Sequence, residues 1–392
     1  MSAEGRLHYM DNLRALAMFG GLLFHAALAY SPLTHPYIPT ADRAQSVAVD
    51  LCIWFLHLLR MPLFFLVAGF FAAMLVAQRG LGGLLRNRLR RIALPLVIFL
   101  PMVHAALNYS TLQAAATVQN PSPLLALIRQ LSQGDGLPEQ LPGTSHLWFL
   151  YYLMFFYVLV WSAKSFELQR LGERLRSLSP GWLLGLLPLL LVPALASVSA
   201  PNPAPESLLP QFWAFGFYGP FFAFGYLLYG HEGLIERLRP IAPWLGMASL
   251  LLYAAFWYLV HRQSPSGEDA SAPWPIALLE AYISVWMTCV CLIAGKSWLR
   301  RSNPVLRYLS DASYWTYLVH LPILFAIQYR LLDLGLPWGS KFAVSVTATG
   351  GLCLLSYHWL VRSTAIGALL GSTTKLAEPP PMTPATAALK QA

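Results

Sequence analysis

An arginine and a histidine inside one apolar run are the first residues whose chemistry stands out. Arg14 and His25 lie eleven positions apart in segment 12–33. On an α-helix that is close to three turns, so both project from one face, about 16 Å apart along the axis. A charge in a bilayer interior costs at least ~2.5–3.5 kcal/mol, which makes each such residue a functional candidate. An imidazole can take and return a proton near neutral pH. A guanidinium can grip phosphate or carboxylate through paired hydrogen bonds. The same two residues also admit a plainer reading, a snorkelling arginine and a histidine bonded to a neighbouring helix.

Four further groups sit in or beside apolar runs. Arg88 and Arg91, at i and i+3, share a helix face at the start of segment 92–110, with Arg86 and Arg90 beside them. His57 and Arg60 repeat that spacing inside segment 48–77. His146 and Trp148 stand at the entrance of segment 147–163, and His320 precedes Pro322 in segment 312–332. Each alone is as well explained by packing or by flanking charge. Together they suggest a polar cavity through an apolar body. Cys52, Cys289, Cys291 and Cys353 all lie in apolar runs and read as small hydrophobes. No phosphate-binding loop, dinucleotide fingerprint, zinc-protease helix or nucleophile elbow is present. No carboxylate cluster calls for a metal.

The elements that must position these residues follow from composition. The 392 residues are 57% hydrophobic and 11% charged, against roughly 25% charged in soluble domains. Most of the apolar surface must therefore face lipid. Ten runs approach the roughly 20 residues a spanning helix needs: 12–33, 48–77, 92–110, 147–163, 181–199, 211–230, 242–261, 276–295, 312–332 and 341–361. The expected fold class is all-α, a polytopic integral membrane protein. Of the 26 Lys and Arg, 19 fall on one set of alternate loops and termini and 5 on the other. By the positive-inside rule, both termini are then cytoplasmic. The net charge of +9 is spread between apolar runs rather than gathered in a patch, which argues against a nucleic-acid partner. No cleavable signal peptide is expected. Residues 111–145 read as the longest outer loop. Residues 1–365 read as one membrane domain without internal repeat, and residues 366–392, with Pro379–Pro381, as a disordered cytoplasmic tail.

These residues fall into strings. The first is Tyr9-Met10-Asp11-Asn12-Leu13-Arg14, followed by His25; the second is Arg60-Met61-Pro62-Leu63-Phe64-Phe65-Leu66-Val67-Ala68-Gly69. Then come Arg88-Leu89-Arg90-Arg91 with Pro95, Ser145-His146-Leu147-Trp148-Phe149-Leu150, and Ser313 through Tyr317-Leu318-Val319-His320-Leu321-Pro322. Their order resembles the acyltransferase-3 family of membrane acyltransferases over residues 9 to about 360. Ala68 departs from it, standing where the family usually has serine. Within the family the strings, and the lack of a fused esterase-like domain, are most similar to the branch associated with succinylation of periplasmic glucans.

The resemblance implies an O-acyltransferase of a bacterial inner membrane that moves an acyl group, succinyl or acetyl, from cytoplasmic acyl-CoA to glycan hydroxyls. The expected acceptor is a periplasmic glucan. Lipopolysaccharide or exopolysaccharide O-acetylation is the alternative, and small-molecule transport a more distant one. His25 and Arg14 are the expected catalytic pair, and Arg88 and Arg91 the expected ligands of the CoA phosphates. His146, Trp148 and His320 are expected to shape the acceptor side, and Arg60 to hold the free carboxylate of a succinyl donor. His25 either deprotonates the hydroxyl directly or is transiently acylated. Acyl-CoA is a co-substrate, with no permanently bound cofactor and no metal expected. The expected partners are acyl-CoA, the glycan, the lipid bilayer and, in a pathway, other glucan-synthesis proteins.

Overall fold

The computed structural model describes residues 3–133, 143–165, 179–262, 271–300 and 303–370. Among them the regular structure is helical, with one isolated β-bridge between Gly143 and Ser207. The helices in chain order are α1 (Ala3–Leu28), α2 (Val47–Arg88), α3 (Leu94–Thr117), α4 (Pro123–Gln133), α5 (Trp148–Ser165), α6 (Pro180–Leu195), α7 (Phe212–Leu228). They continue with α8 (Gly233–Leu238), α9 (Ala242–Arg262), α10 (Trp274–Trp298), α11 (Pro304–Leu331), α12 (Trp338–Ser356) and α13 (Ala365–Leu370).

A helix occupies each of the ten predicted apolar segments. Five stretches are long and apolar enough to cross a membrane: Val47–Thr117, which holds both α2 and α3, Ser145–Ala163, Gly233–Arg262, Trp274–Trp298 and Trp338–Val361. The apolar helices α6 and α7 are shorter. Outward-facing Val97, Leu190, Leu251, Leu355 and Trp359 give this polytopic membrane protein its lipid-facing surface, while Phe65, Phe70, Phe217, Phe221 and Tyr218 are buried in its interior.

Several boundaries differ from the sequence reading. The first span, expected over 12–33, ends as helix at Leu28; residues 29–46 fold back over the helix ends. There the Asp42 amide donates to the Ala29 carbonyl (2.7 Å), and Ser31 Oγ donates to Asp50. The expected long loop 111–145 is partly helical. The helix α3 runs on to Thr117, and α4 is an amphipathic helix whose Leu125 packs on Ala114, Ala115, Val118 and Tyr329. Its Leu124-Leu125, Leu127-Ile128, Leu131 pattern is the signal a loop assignment passes over. Residue 366, the expected start of the tail, falls inside α13; residues 371–392 lie outside the described residues.

Two local features position the site. The first is a break in α2 at Gly80, whose φ of 66° lies in the left-handed region open to glycine. The chain re-enters helix to Arg88 and then a π-helical turn, Leu89–Ala93, so Arg88 and Arg91 precede α3 rather than sit on its first turn. The second is the crossing of α2 and α7. A Cβ at Gly69 would fall on the Phe222 carbonyl, and one at Gly225 on the Leu66 carbonyl, so the two backbones approach as closely as small residues permit. Close behind lies an aromatic core in which Phe65 stacks on Tyr218 at 4.7 Å and meets Phe149 at 4.8 Å. The helix α11 starts at an Asn303 cap that accepts from the Val305 amide (2.8 Å), with Pro304 in its first turn.

Candidate active site

Two polar regions lie along the axis of the bundle. The first is a cavity of about 630 Å³. Arg14 reaches it from α1, Arg79 and Arg88 from α2, Arg91 from the π-helical turn, and Arg307 and Asp311 from the first turns of α11. Five guanidiniums around one space, with Asp11 and Asp311 beside them, give the cavity a net positive lining. They are not equivalent. Arg14 forms an ion pair with Asp11 (3.2 Å) and donates to Ser310 Oγ (3.3 Å), while Ser310 Oγ donates to the Asp11 carbonyl. Arg88 lies over the Tyr157 ring at 4.8 Å, and its buried Nε has no hydrogen-bond partner. The Arg91 carbonyl accepts from Tyr314 Oη (2.9 Å), tying the turn to α11. Arg79 and Arg307, not among the residues singled out in the sequence, also line the cavity.

The second region is a cluster of histidines from four segments. The His25 and His320 rings are 5.4 Å apart, and those of His320 and His146 are 5.0 Å apart. His57 stacks on Phe24 at 5.2 Å, and Phe24 meets His25 edge-on at 5.4 Å. His57, His146 and His320 are buried; His25 is half-buried. Their hydrogen bonds fix the neutral tautomers. His320 Nδ1 donates to the carbonyls of Thr316 (3.1 Å) and Tyr317 (2.9 Å), His146 Nε2 to Tyr317 (3.1 Å), and His57 Nε2 to Asn202 (2.9 Å). The opposite nitrogens, His320 Nε2, His146 Nδ1 and His57 Nδ1, are buried without a partner. The cluster thus presents bare imidazole nitrogens able to accept protons or hydrogen bonds. Among the described residues no group of His, Cys, Asp and Glu stands in a metal-binding arrangement.

Of the residues singled out in the sequence, the structure brings together His25, His146 and His320, with His57 and Arg60 beside them. It gathers Arg14, Arg88 and Arg91 separately around the cavity. Arg14 and His25 share a helix but do not share a space, because His25 is not part of the cavity wall. The regions are nonetheless adjacent. Phe64 lies one turn beyond Arg60 on α2, Leu150 lies one turn beyond His146, and both line the cavity. Trp148 is buried in the aromatic core between Phe65, Tyr152 and Tyr218 rather than among the histidines.

A third set of groups was not foreseen. Asn202 is buried on the Pro-rich loop before α7, and three of its polar groups are engaged. Its N–H donates to Glu280 Oε1 (3.0 Å), its side-chain amide to Tyr218 Oη (2.9 Å), and its carbonyl accepts from His57. Glu280, an acid inside the apolar run 276–293, was the available signal. Asn202 gave none, because nothing in a polar loop marks the residue that turns inward. His104, which had no assigned role, bonds the Gly143 carbonyl through Nε2 (2.7 Å) and so fixes the segment leading to His146.

Comparison with known proteins identifies the family. The family model described as "Acyltransferase domain", Acyl_transf_3, matches residues 7–370. The chain is 26% identical over 334 residues to the Glucans biosynthesis protein C of Salmonella schwarzengrund (strain CVM19633), covering 81% of this chain and 82% of that one. The proteins of the same name from Salmonella typhi and Salmonella typhimurium match to the same extent. No solved structure matches. A match over nearly the whole chain, on a helical membrane body with the family's strings at its polar centre, makes this protein a member of the acyltransferase-3 family.

Proposed function

We propose that the protein transfers an acyl group, succinyl or acetyl, from cytoplasmic acyl-CoA to a glycan hydroxyl on the far side of a bacterial inner membrane. The acceptor in this reading is a periplasmic glucan; the name of the relatives, Glucans biosynthesis protein C, supports the glucan. The observation that carries this reading is the adjacency of an arginine-lined cavity and a cluster of histidines, separated by about one helical turn.

In this scheme ten helices cross the bilayer with both termini in the cytoplasm, so the arginine-lined cavity opens toward the CoA pool. Arg88 and Arg91 hold the CoA phosphates. Arg14, tied to Asp11, frames the passage toward the cluster. His25 takes the hydroxyl proton as the hydroxyl oxygen attacks the acyl carbonyl carbon. The C–S bond then breaks, and the proton passes to the departing thiolate. If donor and acceptor arrive in turn from opposite faces, His25 carries the acyl group between two such displacements. His146 and His320 offer hydrogen-bond acceptors to neighbouring hydroxyls of the sugar, and Trp148 supports the wall behind His146.

The test is the acyl-ester content of periplasmic glucans, measured by mass spectrometry in a deletion strain with and without the wild-type gene. Esters that return only with the gene establish the acceptor, and their mass identifies the acyl group. Glucans that do not change, with esters restored instead on lipopolysaccharide or exopolysaccharide, move the acceptor assignment there. Unchanged esters on all three would sink the reading.

A further inference from the structure

Arg60 is a buried cation without a counter-ion among the described residues. It is 7% exposed. The ion pairs among the described residues join other groups, and Arg60 Nε is sealed from solvent with no hydrogen-bond partner. Its one close ring contact is with Phe24, over which the guanidinium lies at 4.7 Å. A guanidinium cannot shed its proton to escape this setting. Leaving a buried charge uncompensated is strongly unfavourable, so its retention calls for an anion that is present during function.

Its position says which anion. A Cβ built on Gly21 would lie 2.8 Å from Arg60 Nη1, so the guanidinium rests against α1 at that residue. Gly21 is one helical turn before His25, on the same face. The unpaired charge is therefore within a turn of the histidine where the acyl group reacts, and Phe24, adjacent to His25, forms its floor.

We propose that Arg60 stabilises the oxyanion of the acyl-transfer step, and that residue 21 is glycine so that the guanidinium can reach it. This rests on the acyl-transfer reading above. As the hydroxyl oxygen bonds to the acyl carbon, the carbonyl π electrons move onto its oxygen, which becomes the oxyanion facing Arg60. The carbonyl then re-forms, the C–S bond breaks, and the thiolate leaves with the proton held by His25. A donor fixed in place beforehand, in a site closed to water, is where such electrostatic stabilisation is largest. The same site serves the direct route and the acyl-histidine route, since both pass through an oxyanion at this carbon. The role differs from a clamp on a donor's distal carboxylate, because every acyl group forms the oxyanion and only a dicarboxylic one offers the clamp a ligand.

The experiment uses the full-length protein in nanodiscs with periplasmic glucan from the deletion strain as acceptor. Acetyl-CoA and succinyl-CoA serve in turn as donor, and CoA thiol release is followed. Arg60→Met is expected to lower kcat by about 10²–10³-fold, by the same factor for both donors, with KM for acyl-CoA unchanged. Arg60→Lys should recover part of the loss. Gly21→Ala keeps the charge but pushes Nη1 aside; it should lower kcat equally for both donors at an unchanged unfolding temperature. These two variants carry the test should Arg60→Met fail to fold. A loss confined to succinyl-CoA would make Arg60 a carboxylate clamp and overturn the proposal, as would a loss confined to KM or none at all. Absence of thiol release by the wild type with both donors would remove the acyl-transfer reading itself, and this inference with it.

Discussion

The imidazole rings of His25 and His320 lie 5.4 Å apart at an interplanar angle of 49°, although 295 positions separate them in the chain. His320 is held by the Thr316 and Tyr317 carbonyls, so its bare Nε2 belongs to the cluster rather than to its own helix. His25 has partial exposure where its neighbours have almost none. In the proposed reaction the half-open histidine is the one that meets the substrate, and the buried ones surround it.

This difference predicts an order of effects. His25→Ala should reduce acyl-ester formation by about 10²–10⁴-fold, the usual span for loss of a positioned base. His320→Ala should reduce it less, and both should bind CoA as the wild type does. Thiol-release kinetics with calorimetric CoA titration check this. Equal turnover by His25→Ala and the wild type would remove His25 from the chemistry.

Replacement of Arg88 or Arg91 by Gln should act on binding. Loss of one charge-assisted hydrogen bond to a phosphate corresponds to roughly ten- to hundredfold in affinity. KM for acyl-CoA should rise accordingly with little change in kcat, and raised salt should weaken wild-type binding in the same direction. A fall in kcat at constant KM would place these arginines elsewhere in the cycle.

Gly225→Ala should destabilise the bundle without touching the site. Its methyl would fall on the Leu66 carbonyl, where backbone and not a flexible side chain must yield. The expected cost is about 1–3 kcal/mol or more, as for other overpacked interiors. It would be read as a lower unfolding temperature in detergent, and an unchanged one would show that α2 and α7 can separate freely.

Lys341 and Asp42 form an ion pair of 2.6 Å with side chains 2% and 4% exposed, joining α12 to the segment 29–46 folded over the helix ends. Removing one partner strands a buried charge, at about 3–5 kcal/mol. Lys341→Met and Asp42→Ala should each be strongly destabilised, and the double variant should recover much of the loss. Additive losses in a double-mutant cycle of unfolding temperatures would show that the two charges are not coupled.

Much of the architecture was legible before folding. Ten apolar runs each became a helix because burial or lipid contact of long apolar stretches is a property of local composition. The Arg14–His25 and Arg88–Arg91 groups were visible because an ionisable residue is conspicuous in an apolar setting. The helix α4 was passed over because eleven amphipathic residues after a proline resemble a loop when only continuous apolarity is sought.

What the sequence by itself determined is therefore a helical membrane body with a few ionisable residues inside its apolar runs. Only the tertiary structure decided which of them meet. Spacing along α1 put Arg14 and His25 on one face, yet packing brought Arg14 to Ser310 and the cavity, and His25 to His320. It also set the Arg60 guanidinium against Gly21, with no counter-ion among the described residues, and turned Asn202 inward to His57 and Glu280. Such contacts depend on how helices distant in the chain cross, and that is set by side-chain volumes at interfaces such as Gly69–Phe222 and Gly225–Leu66. Hydrophobicity chooses the helices; the fit between their surfaces chooses the neighbours.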